Sequence, residues 1–91
     1  MTNEQYEAMR AAITAAEASG PVEGMPCTYN IGSDHYACSI AYVSPSKAFC
    51  TVVLHGKSER FSRCQDGRYR GKGRCGSLTL GHAETRLDPG F

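Results

Sequence analysis

From Ser33 to Gly81 the chain runs in short stretches of alternating apolar and polar residues, each cut off by a compact turn. A period of two sends successive side chains to opposite faces of a strand, so the stretch reads as a β-meander closing into a small sheet or barrel. A first strand at Met25 to Ile31 carries Pro26 near its start, where a missing donor is tolerated at an edge. Gly32-Ser33-Asp34 then turns the chain into His35 to Val43, which sets Tyr36, Cys38, Ile40 and Tyr42 on one face and His35, Ala37, Ser39, Ala41 and Val43 on the other. Neither face is strongly polar, which predicts a strand covered on both sides.

Ser44-Pro45-Ser46-Lys47 is a turn with proline preset for its second corner. The third strand, Ala48 to His55, is the most apolar, and Gly56-Lys57 reverses the chain into Ser58 to Cys64. In that fourth strand Glu59, Phe61 and Arg63 alternate with Arg60, Ser62 and Cys64. Asp66-Gly67 supplies the strongest hairpin signal, because both residues accept the positive φ angles of a type I′ turn. Arg68-Tyr69-Arg70 returns as a short strand, Gly71, Gly73 and Gly76 make a flexible link, and Ser77 to Leu80 is the last strand. From Gly81 the chain is expected to leave the sheet, with Phe91 tucking back onto the body.

Ahead of the meander, Thr2 to Ser19 reads as a helix. Thr2 and Gln5 can form a capping box, and Glu4 and Glu7 lie where the helix dipole favours negative charge. Tyr6, Met9, Ile13 and Ala16 make one apolar stripe, expected to pack on the sheet or, being narrow and alanine-rich, to pair with a second helix. Gly20 is placed for a left-handed cap and Pro21 forbids continuation. The fold expected is α+β: an N-terminal helix plus a five- or six-stranded antiparallel sheet, bent or closed as an SH3-like small barrel. The 91 residues make a single domain, with the helix at 1–20, the meander at 25–81 and a tail at 82–91. A chain of this length has room for one core and one binding surface but no deep enclosed active site.

Five cysteines are many for this length, but their number is odd and no Cys-x-x-Cys pair occurs. They read as small buried hydrophobes of strands, reduced, with a single disulfide or a zinc site as lesser alternatives. The N-terminus lacks the basic start and apolar centre of a signal peptide, and no apolar run is long enough for a bilayer, so a cytoplasmic protein, monomeric or homodimeric, is expected. The net charge of +1 is unevenly spread, about −3 over residues 1–23 and about +4 over the rest. Such a dipole is expected to steer an acidic partner to one end or to support head-to-tail association.

The concentration of charge between Lys57 and Arg74 is the best functional candidate. Arg60, Arg63, Arg68, Arg70, Lys72 and Arg74 lie close in sequence to Phe61 and Tyr69. Arginine and tyrosine dominate protein–protein hot spots, which suits an acidic protein surface. The same set could neutralise phosphates while Phe61 or Tyr69 stacks a base, or it could be a charged edge that discourages aggregation. No catalytic set stands out. Asp34, His35 and Cys38 are close in sequence, but a strand puts His35 and Cys38 on opposite faces. Gly71-Lys72-Gly73 lacks the spacing and the hydroxyl residue of a phosphate loop. No metal site and no cofactor are expected.

Gly32-Ser33-Asp34-His35-Tyr36-Ala37, Val43-Ser44, Phe61-Ser62-Arg63, Asp66-Gly67-Arg68-Tyr69, Leu78-Thr79-Leu80-Gly81 and Asp88-Pro89-Gly90-Phe91 together resemble a family of small proteins encoded by bacterial viruses and prophages. The resemblance covers residues 22 to 91 and leaves the helix out. It departs at Ser33-Asp34-His35-Tyr36-Ala37, where the family has an arginine after the aspartate, and at Gly90, where serine is common. The family has no established chemistry. What the resemblance implies is a phage protein acting in the host bacterial cytoplasm as a non-enzymatic inhibitor, anti-CRISPR-like, bound to a host protein or CRISPR-associated effector complex. A nucleic-acid-binding β-barrel module is the alternative.

Overall fold

The computed structural model describes residues 2–71, 73 and 76–87. Lys72, Arg74 and Cys75, part of the glycine-rich link, and the segment Asp88 to Phe91 lie outside the described residues.

A 17-residue helix α1 (Asn3–Ser19) precedes β1 (Pro26–Ile31), β2 (Asp34–Val43), β3 (Phe49–Leu54), β4 (Lys57–Arg63), β5 (Tyr69–Arg70) and β6 (Ser77–Leu80). The six strands pair antiparallel in sequence order, and β6 closes on β1 to make a barrel. Closure leaves the sheet without free outer edges, which is how a small β-protein avoids pairing with its neighbours. At the helix start the capping box forms as the sequence predicts: the Gln5 amide donates to Thr2 Oγ1 and the Thr2 amide to Gln5 Oε1. Gly20 ends the helix at φ 81° and ψ 176°. This is not the left-handed cap but an extended conformation that glycine alone adopts readily.

Three hairpins are set by their turn residues. Gly32 at φ 57° and Ser33 join the paired residues Ile31 and Asp34, a two-residue loop with glycine first. His55 at φ 52° and Gly56 at φ 75° join Leu54 to Lys57 with two positive φ angles, so the type I′ turn sits here. At Asp66-Gly67 only Gly67 has positive φ, and the Gly67 amide donates to Cys64 O while the Cys64 amide donates to Arg68 O. That pattern is a three-residue loop, a type I turn ending in a left-handed glycine, rather than type I′. Asp66 stabilises it by accepting from the Arg68 amide at 3.0 Å.

Inside the barrel lie Cys27, Cys38, Ile40, Cys50, Val52, Phe61, Tyr69, Leu78 and Leu80. Most strands keep strict alternation, but the β2–β3 register shifts between Ile40 and Tyr42. This bulge puts Tyr42 outside, 44% exposed, against the expectation that it shares the face of Cys38 and Ile40. Tyr42 pairs with Thr51 and Val43 with buried Cys50, which restores the inward set one residue later.

The helix packs on the barrel only in part. It rests on β6, and Ala16 is the buried residue of its stripe, while Tyr6 is 51% exposed. Close approach requires glycine at Gly81: a Cβ there would fall 2.6 Å from Ala12 O and 2.8 Å from Ala16 Cβ. The Lys47 ammonium donates to Ser19 O at 2.6 Å, closing the helix end with a positive charge where the dipole is negative.

Beyond Gly81 the chain does not leave the sheet but straps its outside. Thr28 Oγ1 donates to His82 O and accepts from the Glu84 amide, and Thr85 Oγ1 accepts from the Ala37 amide. Arg86 then exchanges both backbone hydrogen bonds with His35. The strap therefore covers the part of β2 that β3 does not reach.

Candidate binding face

In the hairpin formed by β4 and β5, strand parity turns Phe61 and Tyr69 inward and Arg60 and Arg70 outward, while Arg63, which has the parity of Phe61 and pairs with Tyr69, is exposed at the end of β4. Phe61 points inward, 2% exposed, with its ring edge-on to Tyr29 at 5.4 Å. Tyr69 is likewise interior at 4% exposed, and its hydroxyl donates to Lys47 O. Burial pushes its phenol above the ordinary range. Neither ring can stack a base or meet a partner, so both belong to the core and not to the binding face expected from sequence. Lys72 and Arg74 lie outside the described residues.

The four arginines stay on the surface. Arg60 is on the outer face of β4, opposite Thr51, and its guanidinium carbon sits 3.9 Å from the centroid of the Phe49 ring. Phe49, diagonal to it on β3, is in turn 6.0 Å from Tyr42 on β2. A row of arginine, phenylalanine and tyrosine thus crosses three strands on the outside of the barrel. Phe49 and Tyr42, neither of them among the expected site residues, are the aromatics at the surface in place of Phe61 and Tyr69. Phe49 was recoverable from the alternation of Cys50, Val52 and Leu54, which leaves residue 49 outside; Tyr42 was not, because its side depends on the bulge.

Arg70 projects from β5 beside Ser62 and pairs with Asp66 at 2.8 Å across the turn. The Arg68 amide and then the Arg70 guanidinium hold the Asp66 carboxyl below its usual range. Both partners are solvent-exposed, so the ion pair shapes the turn more than it stabilises the fold. Among the described residues Arg60, Arg63 and Arg68 form no salt bridge.

Arg63 borders two of the depressions that adjoin the hairpin. One, of about 550 Å³, is lined by Arg60, Ser62, Arg63, Arg70 and Gly71 among others. The other, of about 730 Å³, lies between α1 and the β4–β5 turn, where Arg10, Lys47, Arg63 and Arg68 outnumber Glu17 and Asp66. Arg10, from the otherwise acidic helix, joins the basic side, a proximity that only the folded chain reveals. Both depressions are partly open to solvent.

Elsewhere the chemistry-bearing residues are dispersed. His35 Nδ1 contacts Asn30 Oδ1 at 2.6 Å outside the barrel, whereas Cys38 is inside, as strand parity requires. His55 packs against the Tyr36 ring and His82 lies 3.7 Å from Glu84. No group of three or more His, Cys, Asp or Glu among the described residues is placed to hold a metal ion. No described helix is long and apolar enough to cross a membrane.

Comparison with protein-family models, with characterised proteins and with solved structures finds no match to this chain.

Proposed function

We propose that this chain is a non-enzymatic binding protein that docks an acidic surface of a partner protein on the outer face of β3 and β4 and on the β4–β5 hairpin. The observation that carries it is the Arg60–Phe49–Tyr42 row, in which Arg60 has no ion pair among the described residues, beside Arg63 and Arg68, which likewise have none. An arginine resting over an aromatic ring still has its fork donors available to a carboxylate and loses less freedom on binding than a free side chain. Arg63, Arg68 and Arg70 extend the positive surface, and Phe49 and Tyr42 supply the apolar contact area that charge alone lacks.

The resemblance to phage-encoded proteins makes a host defence effector, CRISPR-associated, the first partner to test, with the chain acting as an inhibitor in the bacterial cytoplasm. Replacing Arg60, Arg63, Arg68 and Arg70 by alanine together is expected to abolish inhibition of a CRISPR effector while leaving the circular dichroism spectrum and melting temperature near those of the parent. Undiminished inhibition by that variant excludes this face. The nucleic-acid reading draws on the same arginines, with Phe49 and Tyr42 as the stacking rings. It requires binding to single-stranded oligonucleotides that falls steeply with salt.

A further inference from the structure

We propose that Cys27 and Cys38 are a redox pair that forms a reversible disulfide inside the barrel, stapling β1 to β2. The two residues are direct partners in the β1–β2 register, and their sulfur atoms lie 3.1 Å apart. Opposed residues of antiparallel strands have Cα atoms about 4.5–5.5 Å apart, inside the window of about 4.4–6.8 Å that a disulfide spans. The backbone is therefore already in register, and bonding needs the sulfurs to approach by about 1 Å. No other described thiol is so placed: Cys50 sits opposite Val43 and Phe61, and Cys64 is on the hairpin beside Ser62 O.

The pair also divides into an attacking and a resolving thiol. Cys38 is the more accessible, 9% exposed against 0% for Cys27. The Cys27 hydrogen bond draws Cys38 below the ordinary thiol range, while Cys27 itself is pushed up by that bond and by burial. With a hydroperoxide as oxidant, the Cys38 thiolate attacks one oxygen, an S–O bond forms, the O–O bond breaks, and the leaving hydroxide takes a proton to become water. Cys27 then attacks the Cys38 sulfur, the S–S bond forms, the S–O bond breaks, and a second water leaves with the Cys27 proton. Two thiols are oxidised and one hydrogen peroxide is reduced to two waters.

The bond closes a short loop through the β1–β2 turn and is expected to raise the melting temperature by about 10 °C. The test treats the folded, reduced protein with a small excess of hydrogen peroxide and follows intact mass, a non-reducing peptide map and thermal melting. Expected are a loss of about 2 Da, one linked peptide pair joining Cys27 to Cys38, a higher melting temperature, and full reversal by dithiothreitol. A Cys50→Ala variant is expected to form the same link, and Cys38→Ser to form none. The wild-type map stands by itself should either variant fail to fold. A link to another cysteine or between chains, a sulfinic acid on Cys38, an unchanged thiol count, or a link that leaves the melting temperature where it was overturns the proposal.

Discussion

The guanidinium carbon of Arg60 lies 3.9 Å above the centre of the Phe49 ring, on the outside of the barrel and across the β3–β4 pairing. The two residues are diagonal neighbours, since Arg60 pairs with Thr51 and Phe49 with Ser62. An exposed contact of this kind contributes about 0.5–1 kcal/mol to the fold. Arg60→Ala and Phe49→Ala are each expected to shift stability by no more than about 1 kcal/mol and to weaken partner binding tenfold or more. Denaturant titration and affinity measurement on the same samples separate the two effects.

The aromatics of the hairpin have the opposite character. Phe61→Ala empties a site at the centre of the barrel and is expected to cost about 3–5 kcal/mol, enough to unfold much of the population of so small a domain. Tyr69→Phe keeps the ring and removes only the hydrogen bond to Lys47 O, a loss of about 1 kcal/mol. Urea midpoints should therefore order as wild type, Tyr69→Phe, Phe61→Ala. A Phe61→Ala protein as stable as wild type would show that this ring is not in the core.

At Gly81 the chain has φ +90°, and an added methyl would meet Ala12 O and Ala16 Cβ. Gly81→Ala combines backbone strain with a clash and is expected to destabilise by about 2 kcal/mol or more. The loss should appear first as faster amide exchange in the C-terminal half of α1, because Gly81 is where that helix meets the barrel.

Alkaline pH acts on the core thiols. Burial pushes Cys50 from the ordinary 9.0 up to about 11, so the folded protein keeps a proton that the unfolded chain releases from pH 9 upward. Stability from this group is thus full below pH 9 and declines through pH 11, a fall of about 2–3 kcal/mol. Tyr69, also raised by burial, adds in the same direction above pH 10. Melting temperatures of wild type and Cys50→Ala measured from pH 7 to 11 should converge as the pH rises.

Much of the architecture is legible in the residues. Thr2 and Gln5 announce the helix, Gly20 and Pro21 end it, and alternation with turn residues gives all six strands of an α+β barrel. What alternation cannot give is the absolute side of each strand, which is fixed by closure. In β4 charged residues occupy both parities, so Phe61 beside Arg60 reads equally well as exposed or interior until the pairing of β6 with β1 defines an inside. Tyr42 changes sides because of one extra residue in β2, and a bulge carries no composition signal there. The strap at 82–87 is not legible in the sequence for a related reason. It is held by the single hydroxyl of Thr28, by Thr85 and by one bridge at Arg86, and none of these repeats with a period.

The most direct test of the binding face is an affinity pull-down of the tagged protein from a bacterial lysate containing a CRISPR effector complex. Wild type and the variant lacking Arg60, Arg63, Arg68 and Arg70 are compared with and without nuclease and read by mass spectrometry. A protein that docks an acidic partner surface recovers an effector subunit in stoichiometric amount, keeps it through nuclease treatment, and loses it in the variant. Recovery that disappears with nuclease, or that the variant retains in full, contradicts docking through this face.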